Sequence, residues 1–252
     1  MAEWLVRVDD RRTPHITLQW MQLGTTRLLQ LTDALSDDDF AASSSLTGWT
    51  RAHVVAHAAL NAQALGRLVH WAATGIETPM YRDMAQRESD IEAASLLPAQ
   101  DLRDRLHDES ARFAADLSAL TPEGWSATVR TRQGRAIPAM EIPWMRVREV
   151  WLHAVDLDVE MGCDDIPPEL AATLMAEVAV WLGSAEGCPA VVLQPTDGAD
   201  PVLMGGADLP IAVSGSRAEL LGWLTGRSDG ANLVAAAESG RQISLPALPA
   251  WL

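Results

Sequence analysis

GWTRAHVVAHAALNAQALGRLVHWA, Gly48 to Ala72, joins a turn glycine and a threonine suited to helix capping to a long run in which apolar residues recur every three or four positions. It predicts an amphipathic helix over Arg51 to Ala72. Within that helix His53 and His57 stand one turn apart and face the same side, which is metal-ligand geometry. The spacing matches the HExxH of zinc peptidases, but Val54 occupies the place of the glutamate base, so a peptidase reading loses its main support. A helix histidine is also commonly a surface or hydrogen-bonded core residue. On these residues alone, the choice between His53 and His57 stays open, as does whether either binds metal.

Working outward, the same periodicity recurs in ITLQWMQLGTTRLLQLTDAL (Ile16 to Leu35) and in PAQDLRDRLHDESARFAADLSAL (Pro98 to Leu120), where Pro98 suits a first helical turn. It recurs again in PWMRVREVWLHAVDLDVEM, from Pro143 to Met161. Four helices of this length predict an up-and-down bundle. The last of them carries Glu149 and His153 at i, i+4, so a histidine from the second helix and this pair can meet inside a bundle as three ligands with a further position open. Asp156 is spaced to accept the other imidazole N–H of His153. The plain alternative for Glu149 and His153 is a surface pair one turn apart.

Beyond Pro167 the pattern changes. IPPELAATLMAEVAVWLGS reads as one more helix, while AVVLQP, PVLM and LPIAVSG are short strand-like segments separated by the turns TDGAD and GGAD. SRAELLGWLTGR adds a short helix with Ser216 as its N-cap. The predicted fold class is α plus α/β: a four-helix bundle over residues 1–163, then a smaller mixed domain over 164–252, with the boundary near Gly162 to Pro168.

Composition narrows the function classes. Of 252 residues, 34 are acidic and 19 basic, and the net charge of -15 argues against nucleic acid as a partner. An anionic ligand then needs a local cationic pocket. All the basic residues are arginine, which excludes a lysine Schiff base or a pyridoxal mechanism. Cys163 and Cys188 form no CxxC pair and read as small structural residues in a reducing compartment. The opening MAEWLVRVDDRRTPH lacks the basic-then-apolar pattern of a leader, and no apolar run approaches membrane-spanning length, so the expectation is a cytoplasmic protein without a membrane partner.

Four stretches, in this order, carry a resemblance: GWTRAHVVAH (Gly48 to His57), HWAATGIETPMY (His70 to Tyr81), WMRVREVWLHAVDL (Trp144 to Leu157) and LTGRSDG (Leu224 to Gly230). Together with the closing PAWL, they resemble the mycothiol-dependent maleylpyruvate isomerases over nearly the whole chain. The resemblance implies a DinB-like metal-binding bundle followed by a sterol-carrier-like α/β domain. It further implies that His57, Glu149 and His153 are the metal ligands, with no assigned metal role for His53. A glutamate in that set suits a divalent ion such as zinc.

The implied reaction is cis–trans isomerisation of maleylpyruvate to fumarylpyruvate, in aromatic breakdown through gentisate. A metal-activated mycothiol sulfur adds to the alkene, the resulting single bond rotates, and elimination returns the thiol. Arg227 is matched to binding a carboxylate of the dicarboxylate substrate, although by position it also suits a helix end; Arg82 is a second candidate. Trp49 and Trp71 read as packing residues. Two other outcomes remain on the sequence: a mycothiol S-transferase acting on another electrophile, and a non-catalytic carrier of a small ligand with a structural metal.

Overall fold

The periodic runs fold as helices, and further elements fill the gaps between them. The computed structural model describes residues 13–206 and 210–251; MAEWLVRVDDRR, on which the expectation about a leader rests, lies outside them. The chain divides into two units, one spanning Pro14–Met161 and one running from Gly162 onward. The first holds α1 (Pro14–Ala34), α2 (Arg51–Thr74), α3 (Met84–Ser95), α4 (Ala99–Ser118), α5 (Pro122–Ser126), a hairpin of β1 (Thr128–Arg130) and β2 (Ala136–Pro138), and α6 (Ile142–Asp156). The second holds α7 (Pro168–Gly183), β3 (Val191–Pro195), β4 (Val202–Met204), β5 (Ile211–Gly215), α8 (Arg217–Leu224), β6 (Val234–Ala236) and β7 (Gln242–Ile243).

The bundle consists of α1, α2, α4 and α6, but its order differs from a simple up-and-down arrangement. Both α1 and α2 pack against α4 and α6, so the successive pairs α1/α2 and α4/α6 are diagonal. Short loops would have forced successive helices to be neighbours. Here residues 35–50 contain their own 3-10 turn, and residues 119–141 contain α5 and the hairpin, so both connections are long enough to cross the bundle.

The helix α2 is also less amphipathic than its periodicity predicts. Val54, Val55, Ala56, Ala58, Ala59, Ala62, Ala64, Leu65 and Leu68 are all without solvent exposure. Small alanines let neighbours approach from several sides, and α3, which the sequence pattern does not announce, covers a flank that would otherwise face water. At the α1–α6 contact the close approach needs Gly24: a Cβ there would lie 2.5 Å from Trp151 Nε1 and 2.6 Å from Val150 Cγ2. The Trp151 indole N–H donates to the Trp20 carbonyl across the same contact, at 2.9 Å.

In the second unit the sheet order is β4-β3-β5-β6-β7, with β3 and β5 parallel and the other pairs antiparallel. Val191, Leu193, Val213 and Ala235 line one face and pack with Met175, Val178, Ala179 and Leu182 of α7 and Leu220 and Leu224 of α8. That is the alternation expected of a sheet covered on one side. Ser216 caps α8, its hydroxyl accepting from the Glu219 N–H at 3.2 Å. Cys163 and Cys188 form no disulfide. Among the described residues, no helix is long and apolar enough to cross a membrane.

Candidate metal centre

The start of α2 is tied to the end of α6. The Ser45 N–H donates to the Asp156 carbonyl at 3.0 Å, Arg51 Nε to the Leu157 carbonyl at 2.8 Å, and Arg51 Nη2 to the Asp158 carbonyl at 2.8 Å. His57 lies six residues into α2 and Glu149 seven residues before the end of α6, so the two reach the same depth along the pair. Glu149 Oε2 sits 2.9 Å from His57 Nε2 and 3.2 Å from His153 Nε2. The rings of His57 and His153 meet edge-on, with centroids 4.7 Å apart. One donor atom from each of the three residues lies within 4.8 Å of the others.

His53 is committed elsewhere. Its Nδ1 accepts from the Thr50 N–H at 3.3 Å and lies 2.8 Å from the Thr50 hydroxyl, so it closes the first turn of α2. Its Nε2 faces Glu92 Oε2 at 3.2 Å and the Ser95 hydroxyl at 3.3 Å. Trp49 stacks on His53 at 6.0 Å and stands edge-on to His57 at 5.6 Å, packing over this end of α2.

The electrostatics of the triad are those of a compact donor set. Burial pushes the His57 imidazole down to about 4, although the Glu149 carboxylate pulls the other way, so its ring is neutral at ordinary pH. Burial alone would raise Glu149, but hydrogen bonds from His153 and His57 outweigh it and hold the carboxyl well below its usual range. His153 is raised: burial opposes the charged ring, while hydrogen bonds to Asp156 and Glu149 favour it more. The fully buried Asp156 takes the His153 ring at 2.9 Å between Nδ1 and Oδ2, and accepts from the Ser45 hydroxyl on Oδ1 at 3.1 Å. Two imidazoles and a carboxylate, one ring held from behind by a second carboxylate, are the nitrogen–oxygen set that a divalent ion with an open position takes. The residues fit such an ion.

Residues 21–158 match the family described as Mycothiol maleylpyruvate isomerase N-terminal domain, and residues 165–247 the family described as MDMPI C-terminal domain. The crystal structure of a mycothiol-dependent maleylpyruvate isomerase is similar to this chain at 34% identity and a TM-score of 0.87, over 98% of this chain and 100% of the other. The chain belongs to the mycothiol-dependent maleylpyruvate isomerase family. A crystal structure of a histidine-to-alanine variant of such an isomerase matches at 33% identity and a TM-score of 0.88, again over 98% and 100% of the two chains. No curated protein gives a significant match.

Within this isomerase fold, Arg227 belongs to the second unit. It follows α8 in a turn where Gly226 has φ +72° and the N–H groups of Gly226 and Arg227 return to the Trp223 and Gly222 carbonyls. Its Nη1 donates to the Thr225 carbonyl at 3.1 Å, and its guanidinium carbon lies 5.8 Å from the centre of the Trp251 ring. Arg82 is exposed, its side chain retaining 76% of its accessibility, and pairs with Asp83 at 3.0 Å. Among the described residues of the bundle unit, Arg87 on α3 reaches the triad, with Nη2 3.2 Å from His57 Nδ1. Sequence reasoning missed it because α3 was not foreseen; the available signal was the Arg87–Ile91 spacing of one turn, which puts the guanidinium on the buried side of that helix.

Proposed function

We propose that this protein is a mycothiol-dependent cis–trans isomerase that converts maleylpyruvate to fumarylpyruvate. The likeness to a crystallised isomerase of this kind over both units carries the reading. Support comes from the convergence of His57, Glu149 and His153. In this reading those three residues hold a divalent ion such as zinc. When bound, such an ion supplies the Lewis acidity that keeps a thiol of pKa ~8.5 deprotonated at neutral pH, and the thiol supplies a reversible nucleophile for a conjugated cis alkene.

The chain's own residues do the rest. Asp156 fixes the His153 ring through its Nδ1, and Trp49 packs against the rings of His53 and His57. Arg227 takes one carboxylate of the dianion in two parallel hydrogen bonds. We assign the reaction to cytoplasmic breakdown of aromatic acids through gentisate.

The test is incubation of the metal-loaded protein with maleylpyruvate, with and without mycothiol. Fumarylpyruvate should form only with the thiol, and the thiol should be recovered unconsumed. Stoichiometric loss of thiol into a conjugate would replace the isomerase by an S-transferase, and turnover without any thiol would exclude the addition–elimination route.

Arg227 is tested separately. A charge-assisted hydrogen bond contributes about 1.5–3 kcal/mol, so Arg227→Ala should lower kcat/KM roughly 10- to 100-fold with metal content unchanged. Arg227→Lys should recover part of the loss, since the ammonium keeps the charge but not the planar fork. Full activity in a folded, metal-replete Arg227→Ala protein would reduce this residue to a helix-end charge.

A further inference from the structure

A cleft beside His57 in the bundle unit is lined by Gln63, Arg67, Tyr81, Arg87 and Asp90 among others. Its cations stand out in a chain of 34 acids and 19 bases, because among the described residues neither Arg67 nor Arg87 has a carboxylate within ion-pair distance. Arg67 is used for architecture. Its Nη1 donates to the Met80 carbonyl at 2.6 Å and its Nη2 to Gln63 Oε1 at 3.2 Å, which fastens the segment carrying Tyr81. Arg87 instead extends across the cleft, with its guanidinium carbon 5.8 Å from the centre of the Tyr81 ring and Nη2 3.2 Å from His57 Nδ1.

That last contact suits only the metal-free ring. The His57 nitrogen that faces Glu149 and His153 is Nε2, and a neutral imidazole that ligates through Nε2 keeps its hydrogen on Nδ1. A guanidinium has donors and no acceptor, so Nδ1–H and Arg87 would then present two donors to each other. His153 shows the contrast, because its Nδ1 faces a carboxylate, Asp156, at 2.9 Å. His57 has no such protein acceptor among the described residues, although the residue is only 4% exposed and an unmet buried donor is costly. An incoming anionic oxygen satisfies both donors at once. Asp90 is the exposed acid of the lining, where water screens it.

We propose that Arg87, together with His57 Nδ1–H, forms a carboxylate subsite in the bundle. It binds one carboxylate of a small dicarboxylate dianion. The inference rests on the function proposed above in its choice of substrate, and on the cleft alone in its choice of chemistry.

Maleate, a cis dicarboxylate, is the probe, titrated by calorimetry into zinc-loaded wild type, Arg87→Ala, Arg87→Lys and Arg82→Ala. Arg87→Ala should keep its zinc and bind maleate about 10- to 100-fold more weakly, with KM for maleylpyruvate raised by a similar factor and kcat changed less. Arg87→Lys should recover part of the affinity, and Arg82→Ala should match wild type. Unchanged maleate affinity in both zinc-loaded Arg87 variants overturns the subsite, as does loss of zinc in both, which would make Arg87 a support for His57 alone. If wild type fails to isomerise maleylpyruvate but Arg87→Ala still weakens maleate, the reaction assignment falls and the subsite stands. If wild type isomerises and the variants bind maleate normally, only the subsite falls.

Discussion

Replacing Glu149 with alanine should strip the bundle of bound metal and lower turnover of maleylpyruvate by about 1,000-fold or more, the largest effect expected of any single substitution in this chain. One oxygen of this carboxylate lies 2.9 Å from His57 Nε2 and 3.2 Å from His153 Nε2, so its removal takes away both a proposed ligand and the negative charge between the two rings. His57→Ala and His153→Ala should behave alike, because a three-ligand site has no donor to spare. Glu149→Gln separates charge from shape and should retain metal weakly. His53→Ala is the counterpart. It should keep its metal and lose only about 1 kcal/mol of stability, the usual size of a lost helix cap. Elemental analysis of the purified variants decides the matter; a His53→Ala protein empty of metal beside a replete His57→Ala protein would reverse the ligand assignment.

The second large effect is on stability. Arg146 is fully buried, one turn before Glu149, and holds the bundle together from inside: its Nη1 donates to the Ala58 carbonyl at 2.7 Å and Asn61 Oδ1 at 3.0 Å, and its Nη2 to the Ser110 hydroxyl at 3.3 Å. Those contacts join α6 to α2 and α4. Burial brings the guanidinium down to about 10, with Glu149 pulling it back up, so it remains charged at neutral pH. Arg146→Ala should cost about 3–5 kcal/mol in denaturant unfolding, through a cavity and stranded hydrogen-bond partners. Arg146→Met should cost clearly less, since it fills the volume and removes a buried charge that has no carboxylate in contact among the described residues. An alanine variant within about 1 kcal/mol of wild type would show that the network carries no stability.

The parts of the fold that were legible in the sequence are those with a long, regular signal. The helices α1, α2, α4, α6 and α7 span at least four turns each with apolar residues in register, and α8 is marked by the Ser216 cap. In α3, by contrast, only Ile91, Ala94 and Ser95 are buried, too few to set a period. The strands β1, β2 and β6 have three residues each and β7 two, too short for alternation to mark them; β4 is as short, but its apolar PVLM run stands between turn signals. The diagonal placement of α1 and α2 depends on where long connections cross, which no local pattern encodes. At the site, two i, i+4 pairs could be read directly. Choosing between His53 and His57 needed knowledge of which ring closes the helix end, and Arg87 needed the position of a helix that the sequence did not announce.

The tie between α2 and α6 bears on how the protein is made. His57 and Glu149 are 92 positions apart in the chain, so the donor set does not exist in any short fragment and comes into being only when a late-synthesised helix docks on an early one. Closing so long a loop carries an entropic cost that grows slowly with length and must be met before the ligands converge. On the proposed ligand assignment, a nascent chain therefore cannot capture an ion at this site cotranslationally until the segment through His153 has emerged. Once captured, the ion stabilises the docked state by mass action, about 2.7 kcal/mol at a hundredfold excess over its dissociation constant. Metal uptake followed in real time thus acts as a clock for one long-range step of folding, which helix formation alone does not report.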